Sequence, residues 1–258
     1  MRLMKRILSA AAVLALSASL LVGCSSGTAS SVPVSASSAA ESTVSSVEET
    51  ASSAVDENEA AAAQLLNDLT GSYQELWPVI LADEYKQTWL DDCTALVGED
   101  NAEAAFEKLS SMVTGDVYGE DAVKAYANGG GAYFCGFTNS LAILTFDGET
   151  STISGTDKDG NVLFSHTYHY IGMEPVRGLY EFESDDADSG EFTYFFLAPD
   201  TSAETYHIEF RYGSDADALS QYDAGDYAYW VASGISTDCD QTMIDNCIEL
   251  FCTENLAG

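Results

Sequence analysis

The feature that most constrains this chain is a change of period at Gly129-Gly130-Gly131. Beyond those glycines apolar and polar residues alternate over short stretches bounded by turn residues. That is the pattern of half-buried strands, since successive side chains of a strand point to opposite faces. Candidate strands are 132–137, 141–146, 150–154, 162–171, 178–183, 191–197 and 205–212. Asp147-Gly148 and Asp159-Gly160 supply hairpin turns between neighbours. Short antiparallel strands joined in this way form a meander, and closing the meander into a barrel removes its exposed edges.

Helical patterns flank the strands. From Leu65 onward Leu69, Tyr73, Leu76, Trp77, Ile80, Leu81, Tyr85 and Trp89 recur at spacings of three and four, and Gly71 and Pro78 divide them into consecutive helices. Ala102–Met112 and Tyr118–Ala127 continue the pattern. After the strands, helix is predicted at Asp215–Tyr222 and Asp238–Thr253. The last has Met243, Ile244, Cys247, Ile248 and Phe251 on its apolar side.

The segment before the helices cannot belong to a packed core. Residues 1–23 combine Arg2, Lys5 and Arg6 with an uncharged apolar run ending in Leu21-Val22-Gly23-Cys24, which reads as an export signal. Its last four residues resemble the lipobox of bacterial lipoproteins, so Cys24 is the expected lipidation site and the membrane an expected partner through that anchor. Residues 24–60 are rich in Ser, Ala, Val and Glu, lack Lys, Arg and aromatic residues, and read as a flexible tether. Its average span would be roughly 30 Å. Residues 61–258 are long enough for one domain with a sizeable core. The expected location is therefore extracytoplasmic and membrane-anchored.

Removing the signal leaves six basic against 42 acidic residues. Such a surface repels the phosphate backbone, which excludes nucleic acid as a partner. Five cysteines follow Cys24, at positions 93, 135, 239, 247 and 252, without CxxC or Cys/His zinc spacing. Export permits disulfides, but spacing does not assign pairs; Cys247 and Cys252, five apart on a helical pattern, do not share a face. No GxSxG, HExxH or phosphate-loop pattern occurs, so the chain is read as a non-enzyme.

Several short motifs fall in a shared order. They are Gly71-Ser72-Tyr73-Gln74-Glu75-Leu76-Trp77-Pro78, Tyr168-His169-Tyr170-Ile171-Gly172, Arg177-Gly178-Leu179-Tyr180-Glu181-Phe182-Glu183, Leu197-Ala198-Pro199, Tyr206-His207-Ile208 and Tyr229-Trp230. Together they resemble the ZinT/YodA family of lipocalin-like zinc-binding domains, which also occur fused to zinc-uptake lipoproteins. The resemblance spans most of residues 70–252. It implies an α+β fold: a lipocalin/calycin-like antiparallel β-barrel with flanking N- and C-terminal helices. It also implies a zinc site at three histidine positions, which in this chain hold Phe195, Thr205 and His207.

The residues themselves suggest a different set of ligands. On the strand 205–212 alternation places His207, Glu209 and Arg211 on one face and Tyr206, Ile208 and Phe210 on the other. His207 and Glu209, supplemented by Glu204 from the preceding loop, would offer imidazole and carboxylate to zinc or another divalent cation. A hydrogen-bonded His–Glu–Arg row on a barrel strand is the competing reading. His166 and His169, three apart on one strand, face opposite sides and do not share an ion. The acidic run from Glu181 to Glu191 reads as a solvated loop. The function expected is thus a tethered binding module for a divalent cation. The alternatives are a small organic ligand held in the barrel, and a structural or interaction domain without metal.

Overall fold

A computed structural model describes residues 57–198 and 207–257. Eight antiparallel strands close into a barrel in sequence order. They are β1 (Gly71–Glu75), β2 (Ile143–Asp147), β3 (Thr152–Thr156), β4 (Val162–Met173), β5 (Tyr180–Ser184), β6 (Tyr194–Leu197), β7 (His207–Gly213) and β8 (Ala232–Ser236). The helices are α1 (57–68), α2 (Leu76–Ile80), α3 (Lys86–Val97), α4 (Glu99–Val113), α5 (Glu120–Ala127), α6 (Ala216–Leu219) and α7 (Gln241–Leu256). The expected fold class, an α+β antiparallel barrel with helices on either side in sequence, is the one observed. Among the described residues no helix is long and apolar enough to cross a membrane.

Closure depends on two strands that periodicity does not reveal. Gly71–Glu75, read from sequence as part of the helical pattern between breaks at Gly71 and Pro78, is β1, which pairs with β2 on one side and β8 on the other. Tyr73 and Leu76 fit a helical spacing, but Tyr73 serves the barrel core and Leu76 opens α2, so the spacing spans two elements. Strand β8 escapes notice because Ala232, Ser233, Gly234 and Ile235 are all buried, one face by the barrel and the other by helices. A strand covered on both faces shows no polar alternation.

The expected strand 132–137 is a correction in the other direction. It forms only isolated bridges, Phe134 to Thr114 and to Trp230. Its backbone is tied to the barrel by one backbone bond, from the Ser233 N–H of β8 to the Cys135 carbonyl at 3.0 Å, and by side chains: the Phe137 N–H donates to Glu75 Oε1 at 2.6 Å and the Thr138 N–H to Tyr212 Oη at 2.6 Å. The Trp230 indole N–H donates to the Gly136 carbonyl at 2.9 Å. Phe137 is buried and meets Phe210 edge to face at 5.3 Å. The segment therefore packs into the barrel core in place of adding a ninth strand.

Inward-facing residues build an aromatic core. Phe146, Phe164, Tyr168, Phe182, Phe195, Phe210 and Tyr212 are all buried in it. Phe195 stacks near Tyr212 at 5.4 Å and Phe164 at 5.9 Å, and meets Tyr168 edge to face at 5.4 Å. Each such ring contributes about 1.5–3 kcal/mol by burial. Gly155 makes room for them, because a Cβ there would sit 2.4 Å from both Leu141 and Phe164.

A second core lies where helices cover the outside of β8. Leu76, Trp77, Ile80, Trp89, Cys93, Leu109, Ile244, Ile248 and Cys252 pack with Ile235. Phe251 of α7 meets Trp77 at 4.7 Å and Trp89 at 5.9 Å. Asp240 caps α7 by accepting the Met243 N–H at 3.0 Å, satisfying one of its free first-turn donors.

Candidate functional site

Strand β7 decides which side of the barrel each candidate ligand occupies. Ile208, Phe210 and Tyr212 belong to the barrel core, so His207, Glu209 and Arg211 face outward, as their spacing predicts. His207 and Glu209 line one pocket of about 80 Å³. Its opposite walls are α2, through Leu76, Trp77 and Ile80, and α7, through Cys247, Leu250, Phe251 and Glu254. Glu209 is exposed and His207 half-buried. The third expected ligand, Glu204, lies with Thr205 outside the described residues, in the loop 199–206 that leads directly into His207.

Glu254 and Cys247 were not among the sequence candidates. They are seven residues apart and thus on one face of α7. The periodicity ends the last helix at Thr253, one residue short of Glu254; α7 in fact runs to Leu256. The cysteine at 135 is also close, and burial first, then the Glu209 carboxylate, pushes its thiol up to about 12. Without a metal ion beside it Cys135 therefore stays protonated near neutral pH.

The three-histidine site implied by the family resemblance does not fit this barrel. Phe195 occupies the first of those positions, is fully buried, and faces inward among aromatic rings, whereas His207 faces outward. A phenyl ring has no donor atom for zinc, and two positions on opposite faces of the wall cannot converge on one ion. Among the described residues no group of three or more His, Cys, Asp and Glu side chains is arranged to hold a metal ion.

Arg211 departs from the expected polar row. It is fully buried, and its guanidinium donates to the carbonyls of Leu219, Gln221 and Tyr227 while lying over the Tyr222 ring at 4.4 Å. Burial lowers its pKa, with Tyr222 opposing that shift. Arg177 covers Tyr222 at 4.1 Å. The buried Glu174 carboxylate accepts the N–H groups of Val176 and Arg177 at 2.7 and 2.6 Å, and the Tyr222 hydroxyl at 3.4 Å. This cluster fixes the 216–230 segment against the outside of β7. Its hydrogen bonds satisfy most of the buried polar groups, with Arg211 Nε left without a protein partner.

The remaining histidines pair singly. His166 Nδ1 lies 2.7 Å from Asp186 Oδ2, and His169 Nδ1 lies 2.8 Å from Asp185 Oδ1. Register places them on opposite faces, His166 opposite Ile153 and His169 opposite Glu183. The acidic run is more engaged than a solvated loop. Besides those aspartates, Glu183 accepts the Tyr194 hydroxyl at 3.1 Å, and Glu191 accepts the hydroxyls of Ser214 and Tyr227 at 3.1 and 3.0 Å.

Solved structures similar to this chain include two from one organism. One is the Zn(II)-bound ZinT-like domain of Streptococcus pneumoniae AdcA, at 15% identity and a TM-score of 0.45, covering 71% of this chain and 89% of that one. The other is Zn(II)-bound AdcA of the same organism, at 14% identity and a TM-score of 0.43, covering 72% of this chain and 35% of that one. The chain thus spans about a third of full AdcA. The family of that domain is the one the sequence motifs resemble. No family model matches the chain, and no curated protein matches it.

Proposed function

We propose that this chain is an exported, membrane-tethered, non-enzymatic binding module that takes a divalent cation, zinc among the candidates, on the outer face of β7. His207 and Glu209 are the proposed ligands, with Glu204 from the adjoining loop as the third. The observation that supports this reading is the outward pocket that His207 and Glu209 share beneath α2 and α7. An imidazole and one or two carboxylates, completed by water, make a sparse ligand set, so the affinity expected is modest. The anchor at Cys24 and the tether 24–60 would hold the module at a membrane surface.

The aromatic filling of the barrel interior supports a second reading, an interaction domain without metal, over an organic ligand held in the barrel. Equilibrium dialysis of the full chain against zinc alone, followed by elemental analysis, separates the two. Zinc retained by the wild type and lost in Glu209→Gln supports the cation reading. Wild-type protein that retains none sinks it and leaves the interaction domain.

A further inference from the structure

Cys93 and Cys252 bring two thiols together across the helical layer. Cys93 is on α3, Cys252 on the last turns of α7, 159 residues later, and their sulfurs are 3.9 Å apart. Both are fully buried in the second core. Spacing gave no reason to pair them; the fold does, because α3 and α7 lie side by side on the outside of the barrel.

We propose that Cys93 and Cys252 form a disulfide that fastens α7 to α3. Two S–H bonds break and one S–S bond forms. The two protons and the two electrons pass to an external disulfide, which is reduced to two thiols. Exchange starts when the thiolate of one cysteine attacks that disulfide, and it finishes when the second cysteine's thiolate displaces the resulting mixed disulfide. The sulfurs must approach from 3.9 Å to a bond length of about 2 Å.

The surroundings say when this happens. Burial is the first cause that raises both thiols above the ordinary cysteine value, and neither sulfur is reachable by solvent in the packed structure. A buried, protonated thiol is a poor nucleophile. Oxidation therefore occurs before α7 docks or while it opens, and once packed the bond is shielded from reductants. The supply of oxidant rests on the export reading above; the pairing rests on geometry alone. Because α7 also carries Cys247 and Glu254, the bond would hold one wall of the β7 pocket in place.

The test is made in solution and does not depend on where the protein resides. The full chain is reduced in denaturant, refolded with reduced and oxidised glutathione, alkylated under denaturing conditions and digested without reduction. The expected product is one peptide pair joined through Cys93 and Cys252, with Cys135, Cys239 and Cys247 alkylated. Reductant present throughout refolding should lower Tm by roughly 5–15 °C in the wild type and in Cys239→Ser. That shift should vanish in Cys93→Ala and Cys252→Ala. Alkylated Cys93 and Cys252 in the folded wild type, a bond to another cysteine, or a reductant shift that persists in Cys252→Ala would each overturn the proposal. The peptide map uses unmodified protein, so it decides the matter even where a variant fails to fold. Zinc retention by the wild type is a separate readout and can fail independently.

Discussion

The two faces of the wall near β7 use the same alternation for opposite ends. Inward, Phe195, Phe210 and Tyr212 pack ring against ring and fill the barrel with aromatic side chains. Outward, within the same strand, Arg211 is locked into a buried cluster while His207 and Glu209 open onto a pocket. A ligand site inside a barrel competes with core packing for the same positions. In this chain packing has taken them, and the polar chemistry lies outside under the helices.

The sharpest way to break this contrast is to empty the inner face. Phe195→Ala should cost about 3–5 kcal/mol in urea denaturation, because a fully buried ring leaves a cavity its neighbours cannot fill. A cost below about 1 kcal/mol would mean the interior is loosely packed and open to ligands. Next in size is Arg211→Ala, which leaves the buried Leu219 carbonyl and the part-buried carbonyls of Gln221 and Tyr227 without this donor. An expected loss of about 2–4 kcal/mol distinguishes a structural arginine from one at a ligand site.

A smaller effect comes from pH. Burial pushes Tyr73 and Tyr222 up to about 12 in the folded protein. Unfolded tyrosines ionise near 10, so their contribution to stability is complete below about pH 10. It is lost as pH rises through about 12. Urea midpoints measured across pH 9–12 should therefore fall, with tyrosinate absorbance rising on unfolding. Stability that stays flat over that range would contradict the burial of these phenols. Smallest is His207→Ala, expected to change stability by less than about 0.5 kcal/mol because the side chain is only half-buried. A larger loss would make His207 a structural residue.

Much of the barrel was legible because period-two alternation marks strands with one buried face, as in β2, β4 and β7. β1 was hidden by a helical spacing that spans two elements, and β8 by burial on both sides. The outward placement of His207 and Glu209 also followed from alternation. The walls of their pocket did not, since Trp77 and Glu254 reach it only through the docking of α2 and α7. The partner of Cys93 was hidden for the same reason, 159 residues away on a helix whose docking no local pattern encodes. The family resemblance located the strand correctly, yet the face on which Phe195 lies separates it from His207.

The most direct test is a calorimetric titration of the full chain with zinc, comparing wild type with His207→Ala. If the cation is held on the outer face of β7, the wild type binds and the variant binds at least about tenfold more weakly, a difference of about 1.4 kcal/mol. Equal affinity in both proteins, or no binding by the wild type, would contradict it.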